Sequence, residues 1–271
     1  MGRERVICAH LVDGFIVDPG PSTTLEALLD GLHGEEPRGL LLTHIHLDHA
    51  GASGTLARRF PGLTVYVHEL GAPHLIDPSK LLKSASRLYG DDMERLWGEV
   101  EPVPEERLRV LSGGETIEGF RVEYTPGHAC HHVCYLHEAS GEAYTGDAAG
   151  VRIQPSEIVV PPTPPPDIDV EAWFASLEVV AGWEPTALCP THFGRFEDVE
   201  AHLDRMREAL QRSSERARGA DEESFVGGLE EYVRAAVDEE TAQCYFQAAP
   251  PDQLWQGLER YWRKREEVAT A

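Results

Sequence analysis

Three histidines and an aspartate stand within six residues of this chain: His44, His46, Asp48 and His49, in the run T-H-I-H-L-D-H-A-G at 43–51. The apolar run just before them, GLLLT at 39–43, has the length and composition of a strand buried on both faces. If the backbone stays extended for two or three residues more, side chains two apart point the same way, and His44 and His46 converge on one ion. A helix expected from about Ala50 turns the chain, so Asp48 and His49 aim in a second direction. Imidazole and carboxylate donors suit zinc, iron or manganese. A single histidine is more often structural than ligating. Three with an aspartate at the end of an apolar strand argue for a metal.

Two ions need more donors than one loop supplies, and the rest of the chain offers them at strand ends. T-P-G-H ends at His128, T-G-D ends at Asp147, and P-T-H ends at His192, each directly after an expected strand. Strand ends are where open α/β sheets place functional groups. Four such ends support one another.

The elements that must position these residues follow from local patterns. Val6 to Ala9 and Phe15 to Val17 flank Asp13-Gly14 and read as a hairpin. Helices are expected over about 25–32, 50–60, 79–89 and 91–99, with a strand at 63–67 between them. Strands are expected at 107–111, 120–124, 133–136 and 142–145, then a helix over about 170–181 and a strand at 186–189. Pro161 to Pro166 is too proline-rich for a helix or a central strand, and serves as a lid, a wall or a stiff connector. Beyond Phe196 only helices are expected, at about 198–217, 222–238 and 252–267. The expected division is a mixed α/β domain over 1–196 and a helical C-terminal domain over 197–271. Trp255, Leu258, Tyr261 and Trp262 form an apolar stripe that suits packing on the first domain or a homodimer contact through the helical region.

Composition narrows the function. The chain has 271 residues, 24 basic and 47 acidic, and a formal charge of −23. Binding through phosphates needs clustered cations; only Lys80, Lys83 and Lys264 are lysines, and no stretch of five or six residues is basic. Nucleic acid is disfavoured as a partner. The five cysteines are odd in number and show no C-x-x-C, which favours reduced thiols. No apolar run suggests a signal peptide or a membrane span. The reading is a cytoplasmic protein acting on a small molecule.

H-I-H-L-D-H at 44–49 resembles the H-x-H-x-D-H signature of the metallo-β-lactamase fold superfamily. The resemblance extends to Asp18, T-P-G-H at 125–128, T-G-D at 145–147 and T-H at 191–192, over roughly residues 5 to 196. It implies a four-layer αβ/βα sandwich with the site at one edge, here carrying an all-helical C-terminal extension. It also implies two divalent metal ions, with zinc the first choice and iron or manganese the others. By that resemblance His44, His46 and His128 hold one ion, Asp48, His49 and His192 hold the other, and Asp147 bridges them. Asp18 matches an aspartate that steadies the H-x-H loop through outer hydrogen bonds. His132 matches a second histidine of T-P-G-H-x-x-x-H, set behind the ligands.

Such a pair of cations lowers the pKa of a water between them and polarises the substrate's carbonyl or phosphoryl oxygen. Asp48 is the candidate to orient that nucleophile and relay a proton. The reaction expected first is hydrolysis of a small ester, thioester or lactone, as in the glyoxalase II and lactonase branches. Against the glyoxalase II branch itself, T-H-F-G-R-F stands at 191–196 where that branch has G-H-E-Y-T, and no cationic cluster awaits glutathione. Three alternatives remain: a mononuclear iron persulfide dioxygenase, a phosphodiesterase or nuclease (disfavoured by charge), and a non-catalytic metal-binding interaction module. Among other candidates, Cys130 could coordinate a metal or be oxidised but is expected first as a small loop residue, His131 is expected as a loop residue, and His68 as a pocket or strand-end histidine. His10, His33, His74, His137 and His202 are expected at the surface.

Overall fold

Strand side chains alternate between two faces, and here both faces find apolar cover. The structure, a computed structural model, describes residues 3–269; the outermost residues of the expected 1–196 and 197–271 divisions lie outside it. One sheet has the order β1 (His10–Val12), β2 (Phe15–Val17), β3 (Gly39–Leu41), β4 (Thr64–His68) and β5 (Leu108–Leu111), parallel except for the β1–β2 hairpin. The other holds β6 (Thr116–Ile117), β7 (Phe120–Tyr124), β8 (Val133–His137), β9 (Glu142–Gly146) and β10 (Ala187–Pro190), in the order β10-β9-β8-β7-β6. Phe15, Val17 and Leu41 point inward to meet Phe120, Val122, Val133 and Tyr135 of the second sheet. Their neighbours Ile16 and Leu40 point outward into a helical layer, as a period of two requires.

The outer layer on the first sheet contains α1 (Leu25–Gly31), α2 (Leu47–Ala50), α3 (Ser53–Arg59), α4 (Ala72–Ile76), α5 (Ser79–Tyr89) and α6 (Met93–Trp97). On the second sheet lie α7 (Val170–Gly182), α8 (Val199–Gly219), α9 (Glu222–Ala236), α10 (Glu239–Ala248) and α11 (Pro251–Ala269). Asp169, Asp221 and Asp238 each cap the following helix by accepting a backbone N–H three residues on. The result is the expected four-layer αβ/βα sandwich with an all-helical extension. The extension shares one core with the second sheet: Leu203, Met206, Leu258 and Tyr261 join Leu136, Leu188, Trp173 and Leu177. Within the apolar stripe of α11, Leu258 and Tyr261 are buried and Trp255 and Trp262 half-buried, and the two tryptophans donate to the carbonyls of Ala220 and Ser214.

The first strand differs from its expected place. Asp13 and Gly14 both have positive φ, 48° and 79°, which makes the two-residue turn that pairs strands directly beside it. His10–Val12 therefore pairs with Phe15–Val17, and the expected strand Val6–Ala9 runs instead beside the end of β10, where Cys8 N–H donates to Thr191 O. The expected helix over 50–60 is split into α2 and α3. A Cβ at Gly51 would meet Leu47 O at 2.5 Å, so this corner is tightly closed. The one-turn α4, the two-residue β6 and α10 had no separate signal. His137 and His202, expected at the surface, are buried; His202 Nε2 lies 2.9 Å from Ala149 O.

Candidate metal centre

Asp18 directly follows β2 and has φ of 50° with no exposure. Its Oδ1 accepts Thr43 N–H at 2.8 Å; its Oδ2 accepts the hydroxyls of Thr43 at 2.7 Å and Thr191 at 2.8 Å. One carboxylate therefore ties together the ends of β2, β3 and β10. Its remaining partner is His49 Nδ1 at 2.8 Å, so His49 carries its proton on Nδ1 and presents the Nε2 lone pair.

Beyond Thr43 the chain alternates as an extended segment does. Ile45 packs into the helical layer, while His44 and His46 face the opposite way and approach to 3.0 Å (Nε2 to Nδ1). His128 Nε2 joins them, 3.2 Å from His44 Nε2 and 2.9 Å from His46 Nδ1, and Asp147 Oδ2 lies 3.2 Å from His128 Nε2. Tetrahedral donors about 2.0–2.1 Å from a zinc ion would stand roughly 3.3 Å apart, so this group has the right spacing. In the second group, His49 Nε2 lies 3.3 Å from Asp147 Oδ1, and His192 Nε2 lies 3.3 Å from Asp48 Oδ2 and 3.6 Å from Asp147 Oδ1. Asp147 thus turns one oxygen to each group.

Three buried atoms of the second group, His49 Nε2, His192 Nε2 and Asp147 Oδ1, have no hydrogen-bond partner. An orphaned buried polar atom costs about 1–3 kcal/mol, and a cation shared by all three removes that cost. Outer hydrogen bonds preset the ring tautomers: His128 Nδ1 donates to Pro162 O at 2.7 Å, and His192 Nδ1 donates to Val6 O. The donor set and the orphans fit a pair of divalent cations.

Electrostatics separates the two groups. Burial holds His44, His46 and His128 below the ordinary imidazole range, His46 at about 3, and the neighbouring histidines reinforce this in His44 and His46. Burial also opposes the charge of His49 and His192, but Asp147 and Asp48 override it and raise both. Against its own burial, Asp48 is brought down to about 2 by His49 and His192. The carboxylate-rich side therefore favours positive charge, and the histidine-rich side favours neutral imidazoles.

Two glycines permit the close approach. Gly127 has φ of 139°, and a Cβ there would lie 2.3 Å from Trp173 Cβ. Trp173 in turn packs edge-on against His128, with centroids 5.6 Å apart. At Gly146, φ 49°, a Cβ would meet Thr43 Oγ1 at 2.3 Å. His132 sits behind Asp147: Thr125 Oγ1 lies 2.9 Å from its Nδ1, and Asp147 N–H donates to its Nε2 at 3.3 Å.

Every histidine and aspartate singled out from the sequence for this centre is brought to it. His46, Asp48, His128 and Asp147 open into a cavity whose lining no motif marks. It encloses about 260 Å³ and is walled mainly by apolar side chains, among them Leu47, Leu81, Trp97 and Leu254. Pro162 and Pro164–Pro166 form part of that wall, one of the three readings of the proline run. His131 is no simple loop residue: it is buried, lines the cavity, and its Nδ1 has no partner. His68 stacks on Tyr124 at 4.5 Å and lies outside the cavity lining.

A sequence model of the metallo-beta-lactamase superfamily matches residues 11–192. The chain belongs to that superfamily. Its members are generally metal-dependent hydrolases. The chain is 30% identical over 176 residues to the metallo-beta-lactamase fold-containing protein ST1585 of Sulfurisphaera tokodaii, covering 62% of this chain and 65% of that protein. It is 33% identical over 126 residues to a hydroxyacylglutathione hydrolase of Salmonella paratyphi A, covering 45% of this chain and 37% of that enzyme. The match thus spans less than two thirds of either relative. In fold, the crystal structure of the archaeal ST1585 superposes with a TM-score of 0.69 at 24% identity, over 94% of this chain and 93% of that one. TTHA1623, solved in a di-iron-bound form, gives a TM-score of 0.56 at 30% identity, over 71% of this chain and 91% of that one. No helix among the described residues is long and apolar enough to cross a membrane.

Proposed function

We propose that this chain is a dinuclear metal hydrolase cleaving a small ester, thioester or lactone whose non-reacting part is apolar. The observation that carries the reading is the juxtaposition of three orphaned, buried donor atoms with an apolar cavity. His44, His46 and His128 would hold one cation, Asp48, His49 and His192 the other, with Asp147 shared between them. Two bound divalent cations would supply Lewis acidity, activating water and drawing electron density from an acyl oxygen. The set contains no thiolate and suits zinc, iron or manganese alike; we take zinc as the first choice.

The chain's own groups do the rest. Asp48 has 20% of its side chain exposed, whereas His49, His192 and Asp147 have 4% or less. It is ionised at neutral pH, accepts a hydrogen bond from the attacking water, takes up that proton as the water attacks, and passes it to the leaving group. The apolar walls seat the acyl chain or alcohol and exclude competing water. The partner is a small molecule; the charge of −23 disfavours nucleic acid. Five free thiols favour a reducing, cytoplasmic setting.

The test is metal content per chain together with a panel of acyl esters and thioesters of increasing chain length. The expected result is about two zinc ions and a kcat/KM that rises from acetyl toward longer acyl groups. One iron per chain, with oxygen consumed on adding a persulfide, would overturn the proposal in favour of a sulfur dioxygenase.

A further inference from the structure

A third cluster of donor side chains stands at the same cavity, apart from the two groups above. Cys130, His131 and Asp167 each bring one donor atom, a sulfur, a ring nitrogen and a carboxylate oxygen, to within 4.8 Å of one another. All three line the cavity. They come from two segments, the turn after His128 and the end of the proline wall, which the hydrogen bond from His128 to Pro162 O already joins. Cys130 Sγ donates to Asp167 Oδ2 at 3.3 Å, a separation that two donors of one tetrahedral zinc ion would also show, to within roughly 0.5 Å.

His131 points to a ligand independently of the cluster. It is only 7% exposed, and its Nδ1 is buried without a hydrogen-bond partner. Its ring is stacked on His44 with centroids 6.1 Å apart and stands edge-on to His46 at 5.7 Å. Packing against the other histidines therefore holds the imidazole in place without satisfying it. Cys130 and Asp167 are exposed, so solvent reaches the site from the outside and small rotations of both side chains can close it around an ion.

We propose that Cys130, His131 and Asp167 form a third cation site, for a borderline divalent ion such as zinc or cobalt, set apart from the paired centre by its thiolate. On binding, the sulfur–hydrogen bond breaks, its electron pair goes to the ion and the proton leaves to solvent. Three protein donors leave the fourth position to water. An ion there links the turn after His128 to the proline wall and places positive charge beside the substrate cavity.

The experiment uses the full chain, freed of metal by chelation and titrated with cobalt(II) while the visible and near-ultraviolet absorption is followed. None of the seven donors of the paired centre carries sulfur, so a thiolate-to-cobalt charge-transfer band reports on a separate site. We expect about three equivalents bound, with one contributing that band. The band disappears in Cys130→Ser and weakens at least tenfold in His131→Gln, while the visible bands of the other two equivalents persist. Cys8→Ser is the control, because Cys8 Sγ also lies near an imidazole, 3.4 Å from His10 Nε2. Absence of the band, or its persistence in Cys130→Ser, overturns the proposal. A charge-transfer band without the other two equivalents would leave this site standing and sink the dinuclear reading instead.

Discussion

Replacing Asp18 by asparagine should separate folding from metal binding, because that carboxylate serves both through different atoms. Oδ1 supports the backbone of Thr43, whereas Oδ2 receives Thr43 Oγ1, Thr191 Oγ1 and His49 Nδ1. Asparagine keeps the shape and the first acceptor, and the two hydroxyls can rotate to accept from its amide. His49 cannot rotate away; it must move its proton from Nδ1 to Nε2, the atom that should face the cation. We therefore expect Asp18→Asn to lose about 1–2 kcal/mol of stability, within the range for one disturbed buried hydrogen bond, or roughly 2–8 °C in Tm. The second cation should be held 10–100-fold more weakly, the usual effect of removing an outer hydrogen-bond partner, while the first is nearly unaffected. Asp18→Ala strands the fixed donors Thr43 N–H and His49 Nδ1–H, costing about 2–6 kcal/mol, a large share of a typical total. Calorimetric zinc titration and thermal melts of the metal-free proteins measure both quantities. If Asp18→Asn binds both cations with unchanged affinity, the tautomer argument is wrong.

Three further outcomes follow from the geometry. Gly127→Ala must adopt φ near 139° and drive a methyl to within 2.3 Å of Trp173 Cβ; we expect a loss of about 3 kcal/mol or more from strain and overpacking, seen as a lower urea midpoint. His49 and His192 are raised above the ordinary 6.5, so near pH 6 both carry a proton that a cation must displace. Metal affinity should therefore rise with pH and binding near pH 6 should release protons, which calorimetry in buffers of differing ionisation enthalpy detects; zero release would contradict the assignment. The same sign makes these two groups stabilise the metal-free fold below pH 6.5 and lose that contribution as pH rises through their folded values. Leu254→Trp, in the cavity wall, should reduce kcat/KM for long acyl esters about tenfold and leave acetyl esters nearly unchanged, as steady-state kinetics would show.

The donors were legible because most of them follow closely on an apolar run. Alternation alone tells that His44 and His46 share a direction opposed to Ile45, and a strand followed by His or Asp marks the edge of a sheet. The first hairpin was misplaced by a few residues because Val6–Ala9 is as apolar as a strand, while the positive φ of Asp13 and Gly14 binds the pairing to the residues beside the turn. His131 gave no distinguishing signal next to His132: its burial comes from His44 and His46, more than eighty residues away.

The chain's local pattern by itself determined which residues are the candidate donors, the strand-end placement of most of them, and the helical character of the tail. Only the tertiary structure decided what that chemistry faces. The cavity draws its walls from residues 45–48, 70–97, 128–131, 147, 162–167 and 248–254, and no periodicity links segments so far apart. Likewise, which nitrogen of His49 is free depends on Asp18, thirty-one residues earlier. Spacing along the chain can propose a set of donors, but their tautomers and orphaned atoms, and the apolar wall beside them, arise from contacts that exist only once both sheets have packed.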